Sequence, residues 1–191
     1  MKFGPSYFKT GNYSDYSERR PRYLQTAREL HGLFESLRLV QLNDSILDFG
    51  CGLGFLADGL VRCGYKNVVG YDSSKWASKQ AKRIISTVSK PRKSDCMIAL
   101  DVFEHLTDNE VLKTLKVVCP DVLVSRIPVA IKRNGGFALQ VSRNDKTHIN
   151  CKTAEEWISV FIRSCGFSTV LRMNLHTIYD SPGVACLLAI R

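Results

Sequence analysis

The chain is 191 residues long, which suits one domain, and 45% of it is hydrophobic, enough for a substantial core and too much for a mainly disordered chain. With 27 basic against 18 acidic side chains it carries a formal charge of +9, a balance that attracts nucleic acid, acidic metabolites or anionic membrane surfaces. No apolar run reaches the roughly 18 residues of a membrane span, the first residues lack the apolar stretch of a secretory signal, and the seven cysteines form no C-x-x-C pair, so the expectation is a cytoplasmic protein with reduced thiols, no membrane insertion and no structural zinc.

Residues 1–20 hold Phe3, Tyr7, Phe8, Tyr13 and Tyr16 among polar groups and read as an irregular aromatic arm before a single domain over 21–191. Pro21 suits the first turn of a helix, and apolar residues then recur at three- and four-residue steps to Leu37. An alternation follows: strands over 45–49, 67–71, 96–100 and 122–125, with helices over 53–63, 74–85 and 107–117 between them. The 122–125 strand stops near Pro128. A helix over 153–165, with Thr153 as N-cap and Gly166 just past its end, precedes strands over 168–174 and 184–190. Strands separated by helices imply a mostly parallel, doubly wound α/β sheet, and the last two strands imply an antiparallel hairpin at one edge. Trp76 and Trp157 read as helix-packing residues.

The strongest local signal is Asp48-Phe49-Gly50-Cys51-Gly52-Leu53-Gly54, which closes the first strand and opens a helix. Glycines there allow a tight turn and let backbone approach a ligand closely. The second strand ends at Asp72, an acid placed to accept hydrogen bonds from ribose hydroxyls. A dinucleotide fingerprint needs a third glycine where Phe55 stands, and the Asp48 carboxylate would repel a pyrophosphate. The same carboxylate favours a ligand carrying an ammonium and a sulfonium.

These residues, together with Asp101-Val102-Phe103-Glu104-His105-Leu106 after the 96–100 strand, resemble the class I S-adenosylmethionine-dependent methyltransferases, most closely the small-molecule group with a D-x-x-E-H segment. The resemblance covers roughly residues 21–190 and implies a Rossmann-like seven-stranded sheet of order 3-2-1-4-5-7-6 with strand 7 antiparallel. The stretch from Ile84 to Ser94 is short for the family's third strand, which is expected to be short or missing, and it carries cations where the family has an acid beside the adenine. The resemblance assigns Asp48, Gly50, Cys51, Gly52 and Gly54 to the methionine part of S-adenosylmethionine, Asp72 to the ribose, Ser73 to the neighbourhood of the adenine and Asp101 to the methionyl end. S-adenosylhomocysteine would be the product. Tyr16, with Tyr7, Phe8 and Tyr13, is expected to fold over the cofactor as a lid that excludes water.

Methyl transfer needs an aligned acceptor and often a base that takes its proton. Glu104, His105 and His148 are the candidates, His105 because it follows a strand end where this fold keeps its ligand crevice. Asp101, Glu104, His105 and His148 are also similar to the metal site of ubiquinone-pathway O-methyltransferases and small-RNA 2′-O-methyltransferases, so a divalent ion is an alternative to the metal-free transfer expected here. The favoured activity is O-methylation of a small metabolite, sugar or lipid precursor. The alternatives are ribose 2′-O methylation of RNA and a donor-binding protein without catalysis. The charge of +9 and seven cations between Lys75 and Lys93 favour nucleic acid, whereas the [DN]-P-P-[YF] motif of base-amine methyltransferases is missing after the 96–100 strand. The loop from Ala130 to Asn150, with Lys132, Arg133 and Gly135-Gly136, is expected to shape the acceptor pocket.

Overall fold

The apolar runs of the sequence become strands whose alternate residues feed two separate cores. In the computed structural model, which describes residues 3–9 and 15–191, Met97 and Ala99 of β3 (Cys96–Leu100) face one core while Cys96 and Ile98 face the other. β4 (Val122–Pro128) and β6 (Val184–Ile190) divide the same way, Leu123 and Leu187 to one side, Val124 and Leu188 to the other. Burial on both faces is what a sheet covered by helices on each side demands.

The sheet has six strands in the order β2-β1-β3-β4-β6-β5, with β1 at Ser45–Phe49, β2 at Asn67–Tyr71 and β5 at Thr169–Arg172. β1, β2, β3 and β4 are mutually parallel, and β6 runs antiparallel between β4 and β5. This is the expected order with its first strand missing. In that strand's place Thr87 makes a single parallel bridge to Gly70, held by bonds from the Gly70 amide to Ser86 and from the Val88 amide to Gly70.

One face is covered by α1 (Arg20–Leu37) and α2 (Phe55–Arg62), which bury Ala27, Leu30, Phe34, Leu56 and Leu60. The other is covered by α4 (Asp108–Val118) and α6 (Ala154–Ser159), whose Val111, Leu115 and Trp157 pack with Phe103 and Phe161. Thr107 and Thr153 start these two helices with capping boxes closed by Glu110 and Glu156. Trp157 is fully buried, as a packing residue should be.

Three expectations need correction. The helix over 74–85 is only α3 (Lys75–Ala81), because the amides of Ile84 and Ile85 both turn back to the Ala81 carbonyl, and Ile85 then packs over Gly54 and Gly70. The helix over 153–165 changes at Val160 into a wide π turn ending at Ser164, which keeps Phe161 buried. The loop from Ala130 to Asn150 contains a short helix, α5 (Gln140–Asn144), that no apolar periodicity announced. Tyr13, expected in the aromatic arm, lies outside the described residues. The described part of the arm packs Phe8 against Trp76 with ring centroids 5.4 Å apart, so Trp76 anchors the arm to α3.

Candidate active site

The C-terminal ends of β1, β2, β3 and β4 open into one cavity of about 710 Å³, where doubly wound sheets place their ligands. Asp48, Gly50, Gly52 and Asp72 line one part of it and Glu104, His105 and His148 another.

The glycine loop is built for close approach. Gly50 and Gly52 have φ of 82° and 53°, in the left-handed region. A Cβ on Gly52 would stand 2.3 Å from the Tyr16 hydroxyl oxygen, and one on Gly50 would stand 2.4 Å from Val102. Tyr16 therefore lies directly over the loop, buried between Phe8 and Phe55. Cys51 is buried, its amide donating to the Tyr71 carbonyl at 2.9 Å, and burial pushes its thiol far up. It serves the turn through its backbone.

Asp48 is 4% exposed, and its Oδ2 accepts no hydrogen bond among the described residues. Burial raises its carboxyl to about 7, against a lowering bond from the Ala57 amide and with a further push from Asp72. A buried carboxylate with an idle oxygen fits a cation, and the donor's ammonium is one. Asp72 spans the cofactor turn: one oxygen accepts from the Gly52 amide at 2.8 Å and the other from the Ser74 amide at 2.7 Å. Each carboxylate oxygen keeps a second acceptor site. Ser73 is exposed at the cavity's rim, while Ser74, the next residue, caps α3.

Asp101 is paired with Arg126. It sits at φ 57°, its amide bonds the Arg126 carbonyl at 2.7 Å, and both carboxylate oxygens accept from the Arg126 guanidinium. That paired carboxylate is not one of the three groups, Glu104, His105 and His148, whose ligand atoms meet. Arg126 was not a candidate from the sequence. The register of β3 and β4 pairs it with Leu100, one residue before Asp101, which would have revealed it had the register been known.

The three remaining groups meet. One ligand atom from each of Glu104, His105 and His148 lies within 4.8 Å of the others. Glu104 Oε1 is 3.9 Å from His105 Nε2 and 4.0 Å from His148 Nε2. Glu104 is fully buried, neither of its oxygens accepts a hydrogen bond among the described residues, and burial, aided by Asp101, raises its carboxyl well above the ordinary range. The backbone brings His148 there: the amides of Ile149 and Asn150 both donate to the Glu104 carbonyl, at 2.8 and 3.0 Å. Asn150 also donates to the Leu106 carbonyl and to Asp108.

Asp145 and Thr147, which no sequence signal singled out, complete the group. The Thr147 amide and hydroxyl both donate to Asp145 Oδ1, at 2.8 and 2.6 Å, and Asp145 Oδ2 lies 3.6 Å from His148 Nε2. Burial pushes the Asp145 carboxyl up, but the Thr147 bonds and the two histidines hold it below its ordinary value. The arm closes over this end, with Phe3 edge-on to His105 at 5.2 Å between ring centroids and the Tyr7 hydroxyl 3.4 Å from Asp145 Oδ2.

The seven cations between Lys75 and Lys93 are all exposed, and among the described residues none forms an ion pair. No helix among the described residues is long and apolar enough to cross a membrane.

Comparison with known proteins agrees with this geometry. A family model described as a methyltransferase domain matches residues 16–171. The chain is similar in structure to a SAM-dependent methyltransferase from Archaeoglobus fulgidus, at a TM-score of 0.65 and 16% identity, with 95% of this chain and 100% of that one covered. It is similar to magnesium protoporphyrin IX methyltransferase from Synechocystis PCC 6803 with bound SAH, at 0.61 and 20%, covering 95% and 88%. It is also similar to the methyltransferase domain of bacterial CtHen1, at 0.61 and 16%, covering 88% and 98%. No curated protein sequence matches the chain significantly. The matched segment runs from the tyrosine over the glycine loop through β5, and with the Rossmann-like sheet it shows that this chain belongs to the class I S-adenosylmethionine-dependent methyltransferases.

Proposed function

We propose that the protein methylates a hydroxyl group of a small acceptor held between the cofactor and the Glu104–His105–His148 group. The observation that carries this reading is a fully buried carboxylate beside two imidazoles in the cavity that also contains the glycine loop. Asp48 binds the donor's ammonium, Asp72 its ribose, and the bare backbone at Gly50 and Gly52 lets the methionyl part lie close. Tyr16, Phe8 and Tyr7 exclude water from the sulfonium. His105 Nε2 takes the acceptor's proton as its oxygen attacks the methyl carbon. The C–S bond breaks, the sulfonium becomes the neutral thioether of S-adenosylhomocysteine, and Glu104 stabilises the imidazolium.

The same three side chains suit a divalent ion, because a buried carboxylate oxygen and two imidazole nitrogens are ordinary ligands for Mn²⁺ or Zn²⁺. Such an ion would lower the pKa of the acceptor hydroxyl. Calorimetric titration with Mg²⁺, Mn²⁺ and Zn²⁺, and activity after chelation, separate the metal-assisted from the metal-free form.

A second acceptor class, the ribose hydroxyl of RNA, is favoured by the seven exposed cations between Lys75 and Lys93, the first of them two residues after Ser73 at the cavity's rim. The test is transfer of a tritiated methyl group from the donor into metabolite extract, RNA and DNA in parallel, with His105→Ala as control. Label in the extract supports the small-acceptor reading, and salt-sensitive label in RNA supports the second. Donor binding with no label anywhere defeats both and leaves a cofactor-binding protein.

A further inference from the structure

The imidazole of His105 could carry its proton on either nitrogen, and the choice decides whether it can act as a base. Among the described residues, two oxygens meet its Nδ1. The Thr147 carbonyl, 3.2 Å away, has no proton to give. The Thr147 hydroxyl, 2.9 Å away, has one proton, and that proton is committed to Asp145 Oδ1 at 2.6 Å. Asp145 is a carboxylate in an Asx turn closed by the Thr147 amide at 2.8 Å, so it only accepts. The hydroxyl oxygen must then accept from His105.

The geometry points to Asp145 and Thr147 as positioning residues that hold His105 in its Nδ1–H tautomer and so present Nε2, as an acceptor, to the reacting hydroxyl. This rests on the reading of His105 as the group that takes the acceptor's proton. The arrangement is a carboxylate acting on an imidazole through an intervening hydroxyl. The three residues come from two places in the chain: the turn after β3 supplies His105, and the turn after α5 supplies Asp145 and Thr147. The pair of amide bonds to the Glu104 carbonyl fastens those two turns together, so the relay is part of the fold and needs no ligand to assemble. Asp145 also lies 3.6 Å from His148 and takes the Tyr7 hydroxyl, so one carboxylate orients both imidazoles and the arm.

The experiment labels the full chain with ¹⁵N-histidine and reads two-bond ¹H–¹⁵N correlations, with His105→Gln identifying the ring. The Nδ1–H pattern is expected in the wild type, and an Nε2–H pattern overturns the inference whatever the activity. Asp145→Asn gives the amide a donor to turn toward Thr147, which releases the hydroxyl proton toward His105. A share of the ring should then move to Nε2–H, and methyl transfer into the acceptor fraction that the wild type labels should fall about 100-fold, with S-adenosylhomocysteine binding within about twofold of wild type. Thr147→Ser keeps the relay and should keep both tautomer and turnover, whereas Thr147→Val should lower turnover about tenfold. Asp145→Asn with unchanged tautomer and unchanged turnover refutes the role. If the wild type labels no fraction, the proposed function fails while the ring spectra still decide the tautomer.

Discussion

Replacing Asp48 by asparagine should make the empty protein more stable and the cofactor bind more weakly. The carboxyl is 4% exposed and burial raises it from 3.8 to about 7. A group whose folded pKa is raised binds its proton more tightly when folded, so stability falls as pH rises from the unfolded value toward the folded one. The penalty is absent below about pH 4 and complete above about pH 7. At about 1.4 kcal/mol per unit, the ceiling is about 4 kcal/mol. The amide keeps an oxygen for the Ala57 bond but buries an NH₂ where Oδ2 has no partner among the described residues, which costs about 1–3 kcal/mol. The net gain at pH 8 is therefore about 1–3 kcal/mol, a rise in Tm of about 2–10 °C for a chain of this size. Cofactor affinity should drop about 10- to 100-fold, the worth of a charge-assisted bond to the ammonium. Wild-type affinity should also weaken below pH 7, up to about tenfold per unit as the proton competes, whereas the variant should be flat between pH 5.5 and 7. Scanning calorimetry and titration calorimetry with S-adenosylhomocysteine measure both. A variant that melts lower at pH 8, or that binds the cofactor like the wild type, refutes the electrostatic role given to Asp48.

Gly52→Ala should displace Tyr16 and cost about 1 kcal/mol for a non-glycine residue at positive φ, with cofactor affinity reduced at least about tenfold; urea unfolding and calorimetry check it. Glu104→Gln removes a buried carboxyl whose ionisation burial opposes, so its Tm at pH 8 should exceed that of the wild type while methyl transfer falls about 100-fold. Arg126→Met strips the guanidinium from Asp101, which remains half-buried at positive φ, and should cost about 1–3 kcal/mol in urea unfolding.

The gathering of the glycine loop and Asp72 at one end of the sheet was legible because its signals are local. Asp48, Gly50, Gly52 and Gly54 follow one another across a single strand–helix turn, and Asp72 closes the next strand, so the fold that parallel strands imply already brings them together. The Glu104–His105–His148 group depends on distant pairings. His148 reaches Glu104 because two backbone amides cross from one loop to another, and no spacing encodes that. Arg126 meets Asp101 only through the register of β3 with β4. α5 escaped because its five residues are too short to show an apolar period, and the early end of α3 because Ile85 packs over the glycines, against the helical tendency of Lys82–Ile85.

The clasp between the Glu104 carbonyl and the amides of Ile149 and Asn150 divides the 130–150 loop into two regimes. From Asp145 onward the chain is tied to the turn that carries Glu104 and His105 and tolerates little change. From Ile131 to Asn134 every side chain is exposed, and Leu139 and Val141 of the same arc edge the cavity. Diversifying that outer arc would remodel the entrance while leaving Glu104, His105 and His148 in register, which makes it the natural segment to randomise when a new acceptor preference is sought.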